Sequence, residues 1–189
     1  MVEMQKGHFP IEQFKNLKTP FYYYDTALLR RTLDIVCEEV KVFDQYAVHY
    51  ALKANTNPKL LSIIQSYGLG ADCVSGGEIQ AALDAGFSSD KIVFAGVGKA
   101  DWEIELALDQ DIFCFNVESK PELEVINDLA AKHNKIARVC LRVNPNVGAH
   151  THSNITTGLA ENKFGIGLTE LKEVIEFAQE AKSIDWIGL

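Results

Sequence analysis

Apolar residues recur along this chain in two patterns that take turns: short runs of alternating or continuous apolar positions, then longer stretches with apolar positions three and four apart. The first is the period of a strand and the second that of a helix. The pattern predicts strands over 46–53, 70–75, 91–96, 112–117, 136–144 and 184–189, separated by helices over 58–67, 77–85, 101–108, 121–133 and 168–181. Before the first strand, Phe21-Tyr-Tyr-Tyr24 is a short β-type run, and Asp25 or Thr26 caps a helix carrying Leu28, Leu29, Leu33, Val36 and Val40. Strands that alternate with helices and are apolar on both faces imply a parallel sheet covered by helices, with right-handed crossovers. The fold class is therefore α/β, and a (β/α)8 barrel and an open doubly wound sheet both satisfy the pattern. Six strands in 189 residues fall short of the eight strands and about 250 residues of a closed barrel. The expectation is an incomplete (β/α)8 TIM-type barrel over residues 21–189. An entry segment at 1–20, with Phe9, Pro10, Phe14 and Pro20 but no periodicity, precedes it.

The run from Tyr46 to Lys53 organises the rest. Alternation puts Tyr46, Val48, Tyr50 and Leu52 on one face and Ala47, His49, Ala51 and Lys53 on the other. Two alanines leave room beside a long cationic stem, and Asn55-Thr-Asn-Pro58 ends the strand and opens a helix with proline in its first turn. A lysine at a strand end is ordinarily a solvated gatekeeper. The alternative is a Schiff-base lysine, whose partial burial disfavours the ammonium form and frees the amine to attack an aldehyde.

Composition narrows the partners. A chain that is 47% hydrophobic and 23% charged suits a globular protein with a substantial core. Its net charge of −8 and pI near 5.1 argue against nucleic acid or an anionic membrane as the main partner. The first residues mix charges without an apolar core, and no later run approaches a membrane span, so the expected location is cytoplasmic. Cys37, Cys73, Cys114 and Cys140 are far apart, with no C-x-x-C pair, and are expected as reduced, packed thiols.

Several other residues could carry chemistry. Asp72, near the C-terminal end of its strand, lies on the rim where barrel active sites sit and could hold a cationic amine or a cofactor hydroxyl. In the run 136–144, Ala137, Val139, Leu141 and Val143 form the apolar face, which turns Arg142 into the barrel. There its guanidinium must meet an anion or a structural ion pair. Ser75-x-x-Glu78 and Ser119-x-x-Glu122 read as capping boxes, and Gly76-Gly77 at a helix start could cradle a phosphate. The polar segment 144–167 carries His150, His152, Asn162 and Lys163. No nearby cysteine or carboxylate completes a metal site around its two histidines, so no metal is assigned.

Taken together, Phe21-Tyr-Tyr-Tyr-Asp25, His49-Tyr-Ala-Leu-Lys-Ala-Asn55, Gly68-Leu-Gly-Ala-Asp-Cys-Val-Ser-Gly-Gly-Glu78, Arg142-Val-Asn-Pro-Asn146 and Thr156-Thr-Gly-Leu with Asn162-Lys-Phe-Gly165 carry a resemblance. They resemble the diaminopimelate decarboxylases, of the alanine-racemase-like class of pyridoxal-phosphate enzymes. The Lys-Ala-Asn and Asp-Cys-x-Ser motifs are also similar to those of ornithine and arginine decarboxylases. The resemblance implies a (β/α)8 barrel followed by a β-domain, a homodimer, and pyridoxal 5'-phosphate held as a Schiff base by Lys53, with Asp72 near that linkage and Arg142 near the cofactor ring. It implies removal of a carboxyl group from meso-2,6-diaminopimelate to give L-lysine and CO2. Family members continue past the sixth strand with the phosphate-binding part of the site and the β-domain. The expectation is therefore that these 189 residues alone have little or no activity and expose apolar edges. The alternatives are a decarboxylase of another basic amino acid and a non-catalytic pyridoxal-phosphate-binding barrel. A class I aldolase fits less well, because its Schiff-base lysine typically lies on a late strand.

Overall fold

Burial along the strands alternates as a sheet covered on one face requires: Ala137, Val139 and Leu141 are buried, while Arg138 and Cys140 between them are not. The computed structural model describes residues 7–43, 45–53, 55–145 and 164–189. Two helices come first, α1 (Ile11–Phe14) and α2 (Thr26–Val40), the second capped by Asp25, whose carboxylate accepts from the amides of Ala27 and Leu28. Then β1 (His49–Ala51), α3 (Pro58–Ser66), β2 (Gly70–Cys73), α4 (Gly76–Asp84), β3 (Ile92–Phe94), α5 (Asp101–Asp109), β4 (Cys114–Val117), α6 (Lys120–Lys132) and β5 (Ala137–Leu141) follow in regular alternation. A short pair, β6 (Val143–Asn144) and β7 (Ile166–Gly167), leads to α7 (Leu168–Glu180) and β8 (Ile184–Gly188). No described helix is long and apolar enough to cross a membrane.

All neighbours in the main sheet are parallel, in the order β1-β2-β3-β4-β5-β8. Each strand's neighbour in sequence is thus its neighbour in space, the order of a barrel wall rather than of a doubly wound sheet, whose order reverses at a switch point. One row of register partners, Cys73, Phe94, Phe115 and Val139, is buried against Ile79, Ile104, Leu123 and Ile126 of the helices. The row beside it, Ala51, Asp72, Val93 and Cys114, faces the other way, into the barrel interior.

Three sequence expectations need correction. The run 46–53 is a strand only at His49–Ala51: the Leu52 amide still donates to the Asp72 carbonyl at 3.1 Å, but Asn55 then turns back onto the Leu52 carbonyl at 2.9 Å. Lys53 therefore lies in a turn at φ 41°, and strict alternation does not reach it. Phe21 to Tyr24 form no strand. They have the propensity but no partner, and their rings pack locally, Phe14 meeting Phe21 and Tyr23 at 5.3 and 4.9 Å. The run 136–144 breaks at Arg142, whose amide still donates to Val117 but whose carbonyl accepts from Ile166. The chain changes partners there.

Close packing between β1 and β2 depends on a missing side chain. A Cβ at Gly70 would stand 2.2 Å from Cδ2 of His49 and 2.5 Å from the Lys91 carbonyl oxygen. The imidazole could rotate away, but the carbonyl belongs to the backbone. G70A is expected to lower stability by about 1–3 kcal/mol, measurable as a fall in melting temperature, and an unchanged melt would contradict the packing described.

Candidate active site

The loops that leave the C-terminal ends of the strands gather the polar side chains at one end of the sheet. Lys53 lies two residues past β1, exposed to solvent. Ala51 is the register partner of Asp72, so the lysine and the carboxylate share one corner of the rim. Asp72 is half-buried, and its Oδ1 is enclosed with no hydrogen-bond partner. An acceptor in that state suits a donor supplied by a bound molecule. Arg142 follows β5, four strand steps from β1, roughly 19 Å along the sheet at about 4.8 Å per step. The fold thus brings Lys53 and Asp72 to the ends of adjacent strands and sets Arg142 four strands away.

Arg142 has a definite partner. Its Nη1 donates to Oε1 of Glu118 at 2.8 Å, the carboxylate side chain being 3% exposed and the guanidinium 47%, and its Cζ stands 5.5 Å from the ring centre of Phe164. The ion pair considered for Arg142 is therefore present.

Behind this pair is a polar network that the sequence did not reveal. Lys99, in the loop after β3, has a side chain only 1% exposed. Its Nζ donates to the carbonyls of Gly96 and Asn116 at 2.7 and 3.0 Å and to Oε1 of Glu122 at 2.6 Å, and stands 5.2 Å from the centre of the Phe94 ring. Three acceptors match the three donors of an ammonium group. The Gly96 amide in turn donates to Glu118 at 3.1 Å, and the Glu118 amide to Oε2 of Glu122 at 3.0 Å. Gly96 adopts φ +102°, a backbone conformation that favours glycine. Burial pushes the Glu122 carboxyl above its ordinary range, with the charge of Lys99 working against that shift.

Both capping serines behave as expected, Ser75 and Ser119 accepting from the amides of Glu78 and Glu122 at 3.2 and 3.3 Å. The two glutamates reach one residue further back than a capping box requires, to the amides of Val74 and Glu118. The phosphate cradle suggested at Gly76-Gly77 is already filled by protein. The Gly76 amide donates to Oε1 of buried Glu103 at 2.7 Å, and the Trp102 ring leaves no room for a Cβ there.

All four cysteines are free; Cys73 and Cys114 are buried, Cys37 and Cys140 partly so. Burial pushes the Cys73 thiol up to about 12. The neighbouring thiols of Cys114 and Cys140 shift each other in opposite directions, the first up and the second down to about 7, while the Cys114 Sγ donates to Oδ1 of Asn116 at 3.8 Å. A cavity of about 480 Å³ between α2, Tyr46, His49, Tyr67 and Phe113 lies at the opposite, N-terminal ends of the strands. Barrel chemistry belongs to the other end, so this is not the catalytic cleft. Burial lowers the pKa of His49 beside it, against the opposing charge of Asp72. His150, His152, Asn162 and Lys163 lie outside the described residues.

Residues 32–189 match the family described as pyridoxal-dependent decarboxylase, pyridoxal-binding domain. The chain belongs to this family. Its cofactor is pyridoxal phosphate. Diaminopimelate decarboxylase of Bacteroides thetaiotaomicron is 65% identical over 184 residues, which cover 97% of this chain and 48% of that protein. The solved structure of diaminopimelate decarboxylase from Helicobacter pylori complexed with L-lysine has a TM-score of 0.83 and 43% identity, covering 94% of this chain and 45% of that one. The arginine decarboxylase of Paramecium bursaria Chlorella virus has a TM-score of 0.65 and 25% identity, covering 84% and 41%. The chain thus spans about half the length of the curated relatives it matches. The neighbouring structures are barrel decarboxylases, and the sheet described above is part of such a barrel.

Proposed function

We propose that this chain is the cofactor-carrying half of a diaminopimelate decarboxylase, which removes a carboxyl group from meso-2,6-diaminopimelate to give L-lysine and CO2. The observation that carries the proposal is the lysine turn after β1 beside the buried, unmatched oxygen of Asp72, in a chain 65% identical to a diaminopimelate decarboxylase. The residues fit pyridoxal phosphate. Lys53 offers an amine free to condense with its aldehyde, Asp72 an acceptor that lacks a donor, and Arg142 a cation part-exposed on the same rim.

When bound, pyridoxal phosphate supplies a ring that takes up the electron pair released as CO2 departs. The chain's own residues attach and orient it. The Lys53 amine would hold the group by its aldehyde carbon at one corner of the rim. The Asp72 carboxylate, placed next to it by register, balances positive charge at that corner. Arg142, anchored on Glu118, would offer its guanidinium near the ring. The full-length protein is proposed to act as a homodimer, with the 1–20 segment as an entry to the barrel domain that begins at 21.

The test is an assay of the full-length protein on diaminopimelate, ornithine and arginine, with borohydride trapping and mass mapping of the modified lysine. Diaminopimelate is expected to be preferred, with the label at Lys53. Preference for arginine or ornithine would move the protein to the neighbouring decarboxylases. A cofactor absorbance band without turnover on any of the three would mark a binding protein.

A further inference from the structure

Three hydrogen bonds hold Glu118, and a fourth braces one of its partners. Its backbone amide is fixed by Glu122, Glu122 is fixed by Lys99, Oε1 accepts from the Gly96 amide, and the same oxygen accepts from Arg142. Its second oxygen, Oε2, is buried with no hydrogen-bond partner. A bridge serving stability alone would gain by engaging both oxygens with the two-pronged guanidinium, because an unmatched buried acceptor is costly. Here one prong is used, and the guanidinium stays half in the open on the rim while the carboxylate beneath it is sealed. The bond tethers one end of the guanidinium over the sealed carboxylate and leaves the other end open to the rim.

We propose that Glu118 is the positioning residue for Arg142, tethering one end of the guanidinium and offsetting its charge where the pyridoxal ring docks. The inference rests on the pyridoxal-phosphate reading above. Glu118 acts through Arg142 and need not touch the cofactor. Without the carboxylate, the charge of Arg142 stands uncompensated and its side chain is free to swing.

The experiment uses the full-length protein as wild type, E118Q, R142Q and the double variant, each stripped of cofactor and titrated with pyridoxal phosphate. E118Q is expected to weaken binding about tenfold. It should also lower the pH midpoint of the bound cofactor's absorbance change by about one unit, because an unbalanced cation beside the ring disfavours its protonated form. The double variant should bind no more weakly than R142Q, since Glu118 acts only through that side chain. E118Q binding like wild type with an unmoved midpoint would overturn the proposal, as would losses that multiply in the double variant. Should E118Q fail to fold, E118D, which keeps the charge but withdraws it by one methylene, is expected to weaken binding while leaving the midpoint in place; wild-type affinity in E118D would overturn the proposal. Wild-type protein that does not take the cofactor at Lys53 would defeat the underlying reading instead.

Discussion

Replacing Lys99 with methionine will destabilise the protein by about 3–5 kcal/mol, the range expected when one partner of a buried ion pair is removed. The side chain is almost fully enclosed, and its loss strips a donor from the Gly96 and Asn116 carbonyls as well as from Glu122. The effect will depend on pH in a defined direction. The folded-state pKa of Glu122 is already raised by burial and restrained by Lys99; without the lysine it rises further. A carboxyl that holds its proton more tightly when folded favours the folded state at low pH, and that contribution is lost as pH rises through the raised value. The K99M penalty should therefore be largest in neutral and alkaline solution. It should shrink as pH falls towards the ordinary glutamate value of 4.5. Urea titrations of both proteins on the mildly acidic and mildly alkaline sides would check this, and an equal loss on both sides would rule out Glu122 as the group left stranded.

On the proposed function, K53A in the full-length protein should lower the decarboxylation rate by about a thousandfold or more, about 4 kcal/mol of transition-state stabilisation. The side chain is exposed and makes no contact on which folding depends, so the melting temperature should hardly move. Glycine at the same place separates the two roles. Lys53 sits at φ 41°, in the region that costs residues other than glycine about 1–2 kcal/mol, so K53G should be as inactive as K53A and more stable than it. Turnover, borohydride labelling and thermal melts on the three proteins decide the matter. Substantial activity in K53A, or a borohydride label retained on another lysine, would place the reactive amine elsewhere.

The helix–strand alternation was legible because the outward positions of the sheet's strands are apolar and the helices that cover it carry a buried stripe; Ile79 and Ala82 on α4, or Leu123, Ile126 and Ala130 on α6, needed nothing but periodicity to find. Strand ends were less legible. The ladder of β1 is three residues long, and nothing in Leu52-Lys53-Ala54 announces a turn at positive φ. Arg142 could be placed on the inward face by alternation, and Asp72 by its closeness to a strand end. Glu118 and Lys99 could not be found in this way, since the partners that define them, Asn116 and Glu122 for Lys99 and Gly96 and Arg142 for Glu118, lie 17 to 24 residues away and meet only through the register of β3, β4 and β5. Glu122 was read as a helix cap, which it nearly is, and that local explanation concealed its bond to Lys99. A lysine set among glycines just past a strand end, as in Gly96-Val-Gly-Lys99, was the available signal.

The pairing of β6 with β7 makes Asn144 and Gly167 neighbours, although the chain travels far between them. Arg142 joins the two sheets at that point: its amide donates to the Val117 carbonyl and its carbonyl accepts from the Ile166 amide, so its backbone is tied at once to the barrel wall and to the short pair. A change that loosens the β6–β7 pair is therefore felt at the rim as well as at the start of α7.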